Sequence, residues 1–184
     1  MASGDSGAGG VVDDRPVGSG ELDAIAIVSV INRHSVRYVI IGAFAAIAQQ
    51  APIAPTRDID FTPEDSAENL QRLSEALKEL DARIRTGPDE GGLPFDHDAR
   101  SLRRADIWNL ICRFGEFDIE FRPAGFLTGY SELVRRAHRL IVNEVEILVA
   151  DLDDVIRSKE LAGRPRDLRV LPALYRHQAS RRNG

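Results

Sequence analysis

Two short stretches constrain this chain more than anything else in it: Asp58-Ile59-Asp60-Phe61 and Phe117-Asp118-Ile119-Glu120-Phe121. In each, acidic and apolar residues alternate strictly. A period of two puts Ile59 and Phe61 on one face of a strand and Asp58 and Asp60 on the other; Phe117, Ile119 and Phe121 likewise stand opposite Asp118 and Glu120. If the two strands are neighbours in one sheet, their acids converge. That is costly unless a cation neutralises them or the carboxyls keep their protons. Oxygen donors without clustered His or Cys favour a hard ion such as Mg²⁺. A half-exposed antiparallel sheet shows the same pattern to water, and the alternation alone leaves both readings open.

Two other Asp-x-Asp pairs have different surroundings. Asp151 and Asp153 precede an apolar helical run and suit an N-cap and a first helical turn. Asp96-His97-Asp98 lies within Gly87 to Arg100, a Gly- and Pro-containing stretch that predicts a solvated loop.

The remaining periodicities mix helices and strands. Helices are expected at Leu22 to Asn32, Ala43 to Gln50, Glu64 to Leu80, Tyr130 to His138, Leu152 to Ala162 and Arg166 to Arg182. Leu70, Leu73, Leu77 and Leu80 form the apolar stripe of the third. Strands are expected at Arg37 to Ile41, Asp58 to Thr62, Ile107 to Phe114 and Phe117 to Arg122, with a strand or strand pair at Arg139 to Val149. Gly115-Glu116 between two of these suggests a type II′ hairpin turn. The class is therefore α+β: a small mixed β-sheet with helices packed on it and a helical C-terminal segment.

A chain of 184 residues fits about one domain. Residues 1–20, rich in Gly, Ser and Asp, cannot bury enough apolar surface to order themselves and are expected to be a disordered tail; residues 21–184 form the domain. One cysteine excludes a disulfide framework or zinc ribbon and suggests a reducing, cytoplasmic setting. Cys112 alternates with Leu110 and Phe114 as a core residue would, and the four histidines have no ligand spacing. The longest near-apolar run, Val39 to Ala48, is too short for a membrane span, and the first residues lack the features of a leader peptide, so no membrane association is expected. The net charge of −5 argues superficially against a nucleic-acid partner. Its distribution argues otherwise: residues 164–184 carry six arginines against one aspartate, a net of +5.

Two further residues bear on the acids. Gly42 sits at a strand-to-helix junction, where backbone N–H groups can hold phosphate. Lys159 falls on the apolar stripe formed by Leu152, Val155, Ile156 and Ala162. It either snorkels to water or faces an anion, a carboxylate or a ligand phosphate.

Taken in order, Ile41-Gly42, Thr56-Arg57-Asp58-Ile59-Asp60, Gly115-Glu116-Phe117-Asp118-Ile119, and Lys159-Glu160 followed by Gly163-Arg164-Pro165-Arg166-Asp167 resemble the nucleotidyltransferase superfamily with the polymerase-β-like palm. Within it they are most similar to the AbiEii-like branch of bacterial toxins, which includes the MenT type. The resemblance spans about Arg37 to Leu171. It implies that Asp58 and Asp60 are a metal pair and that Asp118 is a third carboxylate, acting as base or ligand. It also implies that Gly42 and Ala43 form the phosphate turn and that Thr56 and Arg57 lie beside the nucleotide. Lys159 would stand near the triphosphate, and Asp167 would be the acid of a C-terminal helical motif. Ala43 departs from the usual Ser or Gly of that turn and removes a hydroxyl from the phosphate.

The implied activity is Mg²⁺- or Mn²⁺-dependent transfer of a nucleoside monophosphate from an NTP to an acceptor hydroxyl. The resemblance points to the tRNA 3′ end as acceptor and to a toxin restrained by a cognate antitoxin. Transfer to a protein or small-molecule hydroxyl, and non-catalytic binding of nucleotide or a partner, are the alternatives.

Overall fold

The alternating acids lie on two neighbouring strands of an open mixed sheet that has seven strands among the described residues. The computed structural model describes residues 21–87 and 91–182; the stretch read above as a disordered tail lies outside the described residues. In chain order the elements are α1 (Ala24–Arg33), β1 (Tyr38–Ile41), α2 (Gly42–Ala48), β2 (Asp58–Pro63), α3 (Ala67–Glu79), β3 (Arg83–Ile84), α4 (Ala99–Leu102), β4 (Ile107–Cys112), β5 (Gly115–Glu120), α5 (Tyr130–Leu133), β6 (His138–Val142), β7 (Val145–Val149), α6 (Leu152–Ala162) and α7 (Pro165–Arg182). The strands run β3-β4-β5-β2-β1-β7-β6. The pairs β2–β5 and β1–β7 are parallel and the others antiparallel.

The sheet has two unlike faces. On the back, Ile40, Ile59, Phe61, Phe117 and Ile119 are fully buried. The ring of Phe61 stands edge-on to both Tyr38 and Phe117, with centroids 5.4 and 6.4 Å apart. Tyr38 donates its hydroxyl to Asn32 Oδ1 on α1, so α1, with α3 beside it, covers this face. Each such aromatic contributes about 1.5–3 kcal/mol through burial. The front face carries the acids. There α6 packs on α2 and α7 packs on α6, over the β1–β2 side. The β4 side stays open, with Ile107 and Asn109 exposed.

Local chemistry explains where the elements depart from the sequence reading. α3 begins at Ala67 rather than Glu64, because Ser66 accepts from Asn69 N as its cap and Glu64 is drawn into an ion pair with Arg37. The β4–β5 hairpin turns at Arg113-Phe114, since Cys112 pairs with Gly115. Gly115 instead begins β5 at φ 117°, where a Cβ would meet Leu22 Cα at 3.1 Å. The glycine therefore serves close approach of the chain entering α1, where Asp23 N donates to Phe114 O.

The expected loop at 87–100 contains the start of α4. Asp98 caps that helix by accepting from Arg100 N and Ser101 N, so it is not merely solvated. His97 next to it is half-buried, with Nδ1 3.0 Å from Ser74 Oγ. α5 is one turn long instead of reaching His138. The Arg139 to Val149 region is a strand pair whose turn, Asn143-Glu144, has φ of 46° and 66°, the signature of a type I′ hairpin. Asp151 caps α6 as expected, accepting from Asp153 N. No described helix is long and apolar enough to cross a membrane.

Candidate functional site

Parallel pairing of β2 with β5 sets Asp58 opposite Glu116 and Asp60 opposite Asp118. One carboxylate oxygen from each of Asp58, Asp60 and Asp118 lies within 4.8 Å of the others. Glu116 and Glu120 extend the acidic column along β5. The convergence that the alternation made conditional on strand adjacency is therefore present.

The site is short of positive charge. Burial, reinforced by Asp58, Asp118 and Glu120, pushes the Asp60 carboxyl up to about 8, with Lys159 pulling the other way. Asp118 is also raised, chiefly by burial and then by Asp58 and Glu116, while Arg85 and Arg166 oppose. Glu120 is raised by burial and by Asp118 and Asp167, against Arg164. Three convergent hard oxygen donors, of which only Asp118 has an ion-pair partner among the described residues, fit a divalent cation of the Mg²⁺ or Mn²⁺ kind, and Asp58, Asp60 and Asp118 are the residues that could hold it.

Neighbouring residues fix these carboxylates. Thr56 Oγ1 donates to Asp58 Oδ1 at 2.8 Å. Gly42 begins α2 at φ 76°, and a Cβ there would lie 2.0 Å from Asp60 Oδ2. Only glycine therefore allows the Asp60 carboxylate to lie against the head of α2. Ala43 follows in the first turn, and no side chain among the described residues caps this helix. Arg57 is exposed immediately before β2. It makes no ion pair with the three carboxylates among the described residues.

Lys159 does face inward, to a carboxylate: its Nζ lies 2.9 Å from Asp167 Oδ1, and the two side chains are only 12% and 6% exposed. Arg164 Nε holds the other Asp167 oxygen at 2.9 Å. Burial pushes the Asp167 carboxyl up, but these two cations outweigh it and hold the group below its ordinary value. The pair joins α6 to α7 beside the triad.

Arg85 was not singled out by sequence. Its Nη1 donates to Glu116 Oε2 at 2.6 Å and its Nη2 to Asp118 Oδ1 at 3.1 Å. The signal available was the Arg83-Ile84-Arg85 alternation, three residues long and too short to mark a strand unaided.

The fold is shared with a solved structure. A candidate nucleotidyltransferase from Thermotoga maritima, determined by crystallography at 1.87 Å, matches with a TM-score of 0.51 over 83% of this chain and 91% of that one, at 14% identity. At this identity the likeness establishes the fold, a sheet of nucleotidyltransferase type. No family model matches the sequence, and no curated protein matches it.

Proposed function

We propose that the protein is a metal-dependent nucleotidyltransferase that moves a nucleoside monophosphate from an NTP to an acceptor hydroxyl. The observation that carries this is the triad on adjacent parallel strands, where one carboxylate oxygen from each of Asp58, Asp60 and Asp118 lies within 4.8 Å of the others. Asp58, Asp60 and Asp118 would hold the divalent ion, which supplies charge neutralisation at the transferring phosphate and lowers the pKa of a bound hydroxyl. In the transfer, the acceptor oxygen bonds to the α-phosphorus, the bond to the bridging oxygen breaks, and pyrophosphate leaves. Asp118 takes the acceptor proton. Lys159 lends its positive field to the site while anchored on Asp167. Gly42 lets the Asp60 carboxylate lie against the head of α2, and Ala43 in the first turn offers the phosphates no side-chain hydroxyl.

An RNA acceptor is the finer reading, supported by a ridge on α7. Of the C-terminal arginines, Arg164 is held by Asp167, Arg181 by Gln49 and Arg182 by Asp153. Arg166, Arg169 and Arg176 are exposed and lack an ion-pair partner among the described residues. Their spacing keeps them within one quadrant of the helix surface, and Arg166 already acts on Asp118. A basic line leading away from the triad suits a phosphate backbone. The tRNA 3′ end, a toxin role and a cognate antitoxin rest on the family resemblance. The experiment is incubation with each α-labelled NTP, Mg²⁺ and total RNA. Label should enter the tRNA band with wild type and not with Asp60→Ala. Changing Arg169 and Arg176 to Gln should weaken RNA binding and reduce its salt slope by roughly one per lost phosphate contact. Label entering only protein would transfer the acceptor assignment to a protein hydroxyl.

A further inference from the structure

We propose that Arg85 is a positioning residue of the cation site: anchored on Glu116, its guanidinium holds Asp118 in the orientation that completes the triad. This rests on the reading of Asp58, Asp60 and Asp118 as cation ligands. Arg85 continues the β3 pairing, its backbone N donating to Asn109 O at 2.9 Å. From there the side chain crosses the whole of β4 to reach β5, two strand spacings of about 4.8 Å each. Only a long side chain spans that distance, and the short Asn109 it passes leaves room while accepting from Nη2 at 3.4 Å. Asn109 is also the direct cross-strand neighbour of Asp118.

The guanidinium ends in a fork, with Nη1 on Glu116 Oε2 at 2.6 Å and Nη2 on Asp118 Oδ1 at 3.1 Å. Two donors in one rigid plane fix both carboxylates relative to each other, which an ammonium cannot do. Glu116 is thus the anchor and Asp118 the group positioned. With 14% exposure, Asp118 has little freedom once one oxygen is held, and a carboxylate oxygen of it lies within 4.8 Å of one from Asp58 and one from Asp60. Arg85, Asn109 and Glu116 also line an open surface pocket of about 390 Å³. Partners that orient a ligating carboxylate in this way are typically worth 10–100-fold in metal affinity.

The test is a Mn²⁺ titration of the full chain, with free Mn²⁺ read by electron paramagnetic resonance. It compares wild type with Arg85→Lys and Glu116→Asp, both of which conserve charge. Wild type should bind Mn²⁺, and each variant should bind it about 10-fold more weakly, with the metal-free melting temperature little changed. If both variants bind as wild type does, the fork's geometry is immaterial and the proposal is overturned. A merely structural role would lower the melting temperature with and without Mn²⁺ alike and leave the affinity unmoved, which also overturns it. Failure of wild type itself to bind Mn²⁺ would remove the cation reading, and the proposal with it, and is distinguishable because no variant is needed to see it.

Discussion

Changing Asp60 to Asn should stabilise the metal-free protein. Asp60 carries a carboxyl raised from an ordinary 3.8 to about 8, chiefly by burial and then by its acidic neighbours. Between those values the folded state binds a proton that the unfolded state has released, so stability falls as pH rises through the window. Each pH unit costs up to about 1.4 kcal/mol, which amounts to up to about 4 kcal/mol at pH 7. Asn keeps the shape, stays neutral at every pH and escapes the penalty. Urea unfolding of both proteins in metal-free buffer, from pH 5 to 8, isolates the effect as the difference between them, since other titrating groups are common to both. The difference should be smallest near pH 5 and widen in favour of Asn as pH rises. Adding Mg²⁺ at a hundred times its dissociation constant should restore about 2.7 kcal/mol to wild type and nothing to the variant. An Asp60→Asn protein less stable than wild type at pH 7.5, or a difference independent of pH, would show that the triad is not strained by unneutralised charge.

Three further outcomes follow from particular contacts. Gly42→Ala should cost about 1–3 kcal/mol from its positive φ alone and should also impair Mn²⁺ binding, since the new methyl would fall 2.0 Å from Asp60 Oδ2; urea unfolding and a Mn²⁺ titration read the two effects. Lys159→Met should destabilise by about 3 kcal/mol, the low end for breaking a buried pair because Arg164 still holds Asp167 Oδ2. A double-mutant cycle with Asp167→Asn should then recover part of that loss. Cys112, fully buried with its thiol pushed up to about 11 by burial, should resist a thiol reagent at pH 8 until the protein is unfolded by urea.

The site could be read in sequence where its cause is local. Alternation with a period of two is a property of consecutive residues, so Asp58 and Asp60 declared one common face and Asp118 and Glu120 another before any partner strand was known; that the two faces meet depends on the β2–β5 pairing. Lys159 was legible for the same reason, because an inward position follows from helical spacing within α6. What escaped depends on contacts between distant segments. Gly115 looked like a turn residue because nothing nearby in sequence shows that Leu22 packs against its α-carbon. Arg85 looked like any arginine in a polar loop, since its partners lie 31 and 33 residues away across an intervening strand. The basic C-terminal segment was visible as charge, but only the fold separates Arg181 and Arg182, which turn back onto the body, from the outward ridge of Arg166, Arg169 and Arg176.

Transfer of a nucleoside monophosphate by a cation-holding triad is decided by where a phosphate label ends up. Wild-type protein, Mg²⁺ and RNA are supplied with the same NTP carrying label at either the α- or the γ-phosphate. Label from the α position should become covalently attached to the acceptor, label from the γ position should leave as pyrophosphate, and both should cease with Asp60→Asn or a chelator. Attachment of the γ label, or α transfer that persists in the Asp60→Asn protein, would contradict the account.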